Sequence, residues 1–126
     1  MSIPVSVEGI AEAMAGRAYA YLLTVSDDGR PHAVAVNPVL SGGVLRATVG
    51  RRTASNAQAR PSGVSLVWPP AEAGGYSLIA DGTATASGDT VEFTPTKAVL
   101  HRPAPADAGP ADPGSCGSDC VSVKLD

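Results

Sequence analysis

Three glycine-bearing turn triplets, Asp27-Asp28-Gly29, Ser41-Gly42-Gly43 and Ser87-Gly88-Asp89, cut this chain into runs that alternate like strands. From Arg17 to Ser26, Tyr19, Tyr21, Leu23 and Val25 share one face, and Ala18, Ala20, Leu22 and Thr24 share the other. Pro31 to Leu40 is almost wholly apolar, which predicts that both of its faces are covered, one by core and one by a partner or a ligand. Val44 to Val49 completes a meander. Val64 to Trp68 reads as a short strand stopped by Pro69 and Pro70, with a loop from Ala71 to Gly75. Tyr76 to Ala86 is a long strand, apolar through Leu78, Ala80, Gly82, Ala84 and Ala86 and half-polar through Ser77, Ile79, Asp81, Thr83 and Thr85. Thr90 to Thr94 returns from it, and Lys97 to Arg102 reads equally as strand or helical turn.

Two segments depart from this pattern. Val5 to Ala15 sets Val7, Ile10, Ala11, Met14 and Ala15 at helical spacing behind a Ser6 N-cap and ahead of Gly16, predicting a short amphipathic helix across a barrel end. Between the third and fourth strands lies VGRRTASNAQARP, Val49 to Pro61. There Thr53 stands where an N-cap would stand, a short helix runs from Ala54 to Arg60, and Pro61 ends it after about two turns. The sum is a mainly β chain: a six-stranded antiparallel barrel with short flanking helices.

The composition narrows the function classes. With 126 residues, 44% of them hydrophobic, the chain supports one modest core, packed from small branched residues because only five side chains are aromatic. A net charge of −3 supplies no general basic surface, so no nucleic-acid partner is expected. No apolar run approaches the roughly 18 residues of a membrane helix, and a soluble, cytoplasmic protein without a membrane partner is expected. Ala104 to Ser118 is rich in Pro, Ala, Gly and Asp, which divides the chain into a domain at 1–103 and a tail at 104–126 that ends in a strand-like Val121 to Leu125. That last segment would dock on a sheet edge or a neighbouring subunit. Cys116 and Cys120 in the tail match neither the two-residue gap of a redox pair nor a full zinc ligand set, so no metal is expected; plain thiols, a disulfide and thiol chemistry stay open.

The candidate chemistry lies in VGRRTASNAQARP. The first turn of a helix leaves N–H groups unpaired, and the guanidinium groups of Arg51 and Arg52, the hydroxyls of Thr53 and Ser55 and the amide of Asn56 would converge there on a dianion. The competing reading is a capped surface helix with solvated arginines. Asp27 and Asp28 read as turn formers, and His32 reads as a satisfied strand histidine rather than a base. His101 and Arg102 mark either a solvated strand end or an anion contact. No catalytic acid–base pair or nucleophile has local support.

The order YLLTVSDDGRPHAVAVNPV, a Gly-bearing turn, VLRATVGRRTASNAQARPSGVSLVWPP and a later strand ending in AVLHRP resembles the pyridoxamine 5′-phosphate oxidase-like family, the flavin-binding split β-barrels, over Arg17 to Pro103. The resemblance implies a homodimer binding FMN, or alternatively deazaflavin F420 or haem, at the subunit interface. It implies that Arg51, Arg52, Thr53, Ser55 and Asn56 hold the phosphate. It sets His32 to Asn37, with Val34 and Val36 among them, along the ring edge, and gives Trp68 and Tyr76 either to the facing subunit's pocket or to the core. The implied activity is an oxidoreductase acting on a small organic substrate, with the ring performing hydride or electron transfer. A pocket for a planar ligand without turnover, or a cofactor-free dimeric barrel, are its alternatives. The missing Lys in the phosphate motif, and the missing longer C-terminal portion with its Arg and His substrate contacts, argue against the vitamin B6 reaction itself.

Overall fold

A computed structural model describes residues 2–104. Among the described residues eight strands form one antiparallel sheet: β1 Ser2–Val5, β2 Ala20–Val25, β3 Pro31–Val36, β4 Val39–Ser41, β5 Val44–Thr48, β6 Val64–Trp68, β7 Ser77–Ser87 and β8 Thr90–His101. Their order is β3-β2-β6-β7-β8-β5-β4, with β1 added along the far end of β8. The sheet curls into a half-barrel whose edge strands are β3 and β4, and this is the geometry of a split barrel. Two short helices complete it, α1 Ile10–Met14 after a 3-10 turn at Val7–Gly9, and α2 Arg51–Ala59. Among the described residues no helix is long and apolar enough to cross a membrane.

The glycine turns do what their backbone freedom permits. Gly29 at φ +83° closes the β2–β3 hairpin with its N–H on the Ser26 carbonyl, and Gly42 and Gly43, both left-handed, turn β4 into β5. The strand count exceeds the six expected from the sequence, for two local reasons. The apolar run from Pro31 to Leu40 breaks at Asn37-Pro38: Pro38 has no N–H to give a ladder, so β3 stays with β2 while β4 leaves to pair with β5. The second reason is β1, whose residues Ser2 to Val5 pair with His101 to Ala98. Pairing with β7 on one side and β1 on the other also decides the segment Lys97 to Arg102, which continues β8 as strand through His101.

The front helix is shorter than its hydrophobic spacing suggests and starts later than expected: the Ser6 hydroxyl accepts from the Gly9 N–H and so caps the 3-10 turn, while α1 begins only at the buried Ile10, with Gly9 as its N-cap. Arg17 ties the C-terminal end of α1 to the barrel, donating from Nε to the Ala13 carbonyl and from Nη1 to the Pro69 and Tyr76 carbonyls. Inside the curl, Leu22, Leu45, Leu66, Trp68, Leu78 and Phe93 form the centre of the core. At Asp81/Gly82 the β7–β8 register shifts, and Gly82 packs its bare Cα against Phe93, Thr94 and Pro95. The expected tail from Ala104 to Ser118, its terminal strand Val121 to Leu125, and Cys116 and Cys120 lie outside the described residues, apart from Ala104.

Candidate functional site

Helix α2 begins three residues earlier than the sequence suggests. Gly50, extended at φ −80° and ψ 173°, is the N-cap in place of Thr53, and its carbonyl accepts from the Ala54 N–H. Thr53 is therefore inside the helix, and its hydroxyl turns inward. This offset divides the helix into two faces: Thr53, Ala54, Asn56 and Ala57 are buried, whereas Arg51, Arg52, Ser55 and Gln58 are exposed. Pro61 ends it as expected, with Arg60 driven out of helical geometry.

Two polar contacts seat the buried face on the first hairpin. Asn56 Nδ2 donates to Thr24 Oγ1 at 3.1 Å, and Thr53 Oγ1 lies 3.3 Å from His32 Nε2. Thr24 and His32 are themselves register partners across β2 and β3, so the four side chains form one cluster under the helix. Thr24, Thr53 and Asn56 are the buried polar side chains among the described residues, and each has found a partner, as burial demands. Beyond the helix, Arg60 donates from Nε to the Val25 carbonyl and from Nη2 to Asp27 at 2.8 Å. The helix exit is thereby pinned to the β2–β3 turn.

Between that turn and the exposed face of α2 lies a cleft of about 680 Å³, lined by Ser26, Asp27, Asp28, Arg51, Arg52 and Ser55, with Asn56 as well. Among the described residues neither Arg51 nor Arg52 makes an ion pair within 4.0 Å, so both guanidinium groups are available to an incoming anion. Asp28 accepts from the Ser26 hydroxyl at 2.5 Å and from the Arg30 N–H at 3.2 Å. The Ser26 hydroxyl, then the Arg30 N–H, and more weakly the charge of Arg52, hold its carboxyl below the usual carboxylate range. A smaller cleft of about 280 Å³, lined by Asn37, Val39, Arg46 and Thr48 among others, lies at the other end of β3.

The residues singled out from the sequence thus part company. Arg51, Arg52, Ser55 and Asn56 come together at the larger cleft. Thr53 and His32 lie beneath the helix, Asn37 lines the smaller cleft, and Val36 and Trp68 are core, with Val34 packed against it. Trp68 faces its register partner Leu78 across β6 and β7 and is 2% exposed. The donor set at the larger cleft fits an anionic cofactor tail: two unpaired guanidinium groups and a free hydroxyl beside the first turn of a helix. Sequence reasoning missed Ser26, Asp27 and Asp28, which form the opposite wall. Their triplet carries only an ordinary turn signal, and what brings them to the arginines is the crossing of α2 over β2.

No protein-family model matches the sequence. The chain is 40% identical over 138 aligned positions to uncharacterized proteins of Mycobacterium bovis and Mycobacterium tuberculosis, with 96% of this chain and 96% of each of theirs covered. Among solved structures it superposes on a pyridoxamine 5′-phosphate oxidase homologue of Listeria innocua with a TM-score of 0.62 at 15% identity, over 75% of this chain and 96% of that one. An FAD binding protein from Mycobacterium smegmatis matches with a TM-score of 0.61 at 17% identity, over 81% and 100% of the two chains. An F420 reductase matches at 0.57 and 21% identity, over 69% and 94%. The chain belongs to one family with the two mycobacterial proteins, and its fold is the split barrel of the pyridoxamine 5′-phosphate oxidase-like flavin and deazaflavin proteins.

Proposed function

We propose that the protein is a homodimeric oxidoreductase that holds a flavin-type cofactor, FMN or a relative such as a deazaflavin, and acts on a small organic substrate. The observation that carries this is the pair of unpaired guanidinium groups, Arg51 and Arg52, beside Ser55 on the exposed face of α2 and within the larger cleft. In this reading they grip the anionic tail, while Thr53 with His32 and Asn56 with Thr24 keep the helix that presents them in place. The small outward side chains of Ala33 and Ala35 on the edge strand β3 leave room for a flat ring beside exposed backbone groups. Hydride or electron transfer is what such a ring supplies when bound.

The dimer is supported by the outer face of the sheet. Ala35, Tyr21, Val67, Ile79 and Val99 are successive register partners across β3, β2, β6, β7 and β8, and all are exposed or half-buried. An apolar row of this length across five strands fits coverage by a second copy. Tyr19 and Tyr21, edge-to-face at 5.3 Å between ring centroids, extend it.

Titration with FMN and FAD, read by flavin fluorescence, tests the cleft. Arg51→Ala with Arg52→Ala is expected to weaken binding by about 2–4 kcal/mol, the lower range for charge-assisted contacts at exposed positions. Unchanged affinity removes the assignment. Reduction of the bound flavin by a nicotinamide donor and reoxidation in air separates the enzyme from a carrier that binds without turnover.

A further inference from the structure

Of the twelve Asp and Glu in the chain, Asp107, Asp112, Asp119 and Asp126 follow Ala104, and Lys124 is the one Lys or Arg there. Residues 1–104 therefore balance at eight charges of each sign, and the formal charge of −3 belongs wholly to residues 105–126. Within the domain the balance is uneven. Arg17 is engaged by three carbonyls, Arg46 by Glu92, Arg60 by Asp27 and Arg102 by the ring of Tyr76, while Lys97 stands opposite Asp81 in the β7–β8 register. Arg30 lies in the β2–β3 turn, its N–H on Asp28. Arg51 and Arg52 remain, side by side on the exposed face of α2, and Asp28 is the one carboxylate lining their cleft without a cation within 4.0 Å among the described residues. The cleft thus carries a positive surplus on a domain that has none overall.

We infer that this cleft is the docking site of the chain's own acidic segment 105–126, with Asp119 as the carboxylate that Arg51 and Arg52 receive. The inference rests on charge and reach, and stands apart from the flavin reading. Chain geometry selects the residue. His101 pairs with Ser77, which the register through β6 sets level with the start of β2. From there the cleft lies about 20 Å along the strands and three strand spacings, about 14 Å, across them, a direct path of about 25 Å. A chain spans at most about 3.3–3.6 Å per residue, so from Ala104 Asp107 falls short and Asp112 arrives only near full stretch, whereas Asp119 has about 50 Å of chain to use. Asp126 has Lys124 two residues away, which the arginines repel. Asp119 instead follows Gly117 and Ser118, whose small side chains bring no bulk to the cleft. Tethering makes the contact intramolecular, at an effective concentration in the millimolar range, so charge contacts that are weak singly suffice to hold it. A carboxylate docked there competes with any anion that the cleft takes.

The test uses the full chain with Cys116→Ser, which leaves Cys120, next to Asp119, as the one native thiol, and adds either Ser55→Cys or Ser41→Cys. Ser41 is an exposed residue of the smaller cleft at a comparable distance, about 25 Å from the end of β8, but the arginine there, Arg46, is neutralised by Glu92. Each variant is equilibrated at low salt in a glutathione buffer, where every protein disulfide forms as one oxidised glutathione is reduced to two thiols, and the disulfides are mapped by mass spectrometry. The thiol at position 55 is expected to pair with Cys120 of the same chain about fivefold more than the thiol at position 41 does, the size of effect that two exposed charge contacts give. Asp119→Asn, added inorganic phosphate, or about 1 M salt is expected to remove that preference. Because Asp119→Asn alters the reactivity of Cys120 equally toward both positions, the ratio between them reads docking alone. Equal pairing at the two positions, or a preference that Asp119→Asn leaves unchanged, overturns the inference. Disulfides that join two chains overturn it as well, since they give the cleft to the segment of a second copy.

Discussion

Along β7 and β8 eleven residue pairs and a single register shift build a continuous ladder, joined by one turn at Ser87 to Thr90. The cleft between the β2–β3 turn and α2 is assembled differently. Its walls come from residues 26–28 and 51–56, and what holds them together is a handful of side-chain contacts: Asn56 with Thr24, Thr53 with His32, and Arg60 with Val25 and Asp27. The first region is fixed by backbone pairing and sterics, so a change there is a change in stability. The second is fixed by a few polar links, so a change there acts on the geometry and charge of the cleft. Stability and binding should therefore come apart under mutation.

The largest effect is expected at Gly82. A Cβ there would collide with the Thr94 carbonyl oxygen and come within 2.9 Å of Phe93 Cζ and Pro95 Cα, mostly backbone that has no rotamer to yield. Gly82→Ala is expected to cost about 4 kcal/mol, at the severe end of single substitutions. Chemical denaturation measures it, and a loss under about 1 kcal/mol would show that the hairpin gives way as readily as the cleft. Next come two variants of similar cost and different consequence. Trp68→Phe leaves a void in the core, and Asn56→Ala strips the buried Thr24 hydroxyl of its partner; each is expected to lower stability by about 2 kcal/mol. Only Asn56→Ala should also weaken flavin binding, because it loosens the helix that presents Arg51, Arg52 and Ser55. If Trp68→Phe lowers flavin affinity as much, the indole is close enough to the ligand to count as part of the site.

The same division governs what was legible in the sequence. Val64–Trp68 appears as a strand with the expected bounds, and β7 differs from its expected span by one residue at each end, because alternation and turn glycines are local codes. Where a neighbour rather than a local code decided, sequence reasoning stopped short: β1 exists because β8 offers an edge at Ala98 to His101, and β4 exists because β5 receives what β3 cannot after Pro38. In the site, Arg51, Arg52 and Ser55 were legible from the motif. The start of the helix was not, since a Thr followed by small residues reads as a cap, whereas extended Gly50 takes that place and frees Thr53 to meet His32. Asp27 and Asp28 were visible only as turn formers, because some two dozen residues of chain separate them from the arginines they face.

The smallest effect concerns Asp28 and belongs wholly to the cleft. Its carboxyl is held below the usual carboxylate range first by the Ser26 hydroxyl and then by the Arg30 N–H, so the folded state binds that proton less readily than the unfolded chain does. The stabilisation this gives is complete above the ordinary carboxylate value of about 4 and is lost as the pH falls through the lower folded value. Ser26→Ala removes the main cause. The wild type should therefore exceed Ser26→Ala in unfolding midpoint at about pH 7, with the margin shrinking below about pH 4 as Asp28 protonates in both states of the chain. Gly82→Ala provides the control, since a steric collision with backbone has no proton to lose and its deficit relative to the wild type should not follow the titration of Asp28. A margin for Ser26→Ala that is equally flat with pH would mean that the hydroxyl acts through its other contact, the Arg30 carbonyl at 3.1 Å, and that the turn is held by neutral hydrogen bonding rather than by the charge on Asp28.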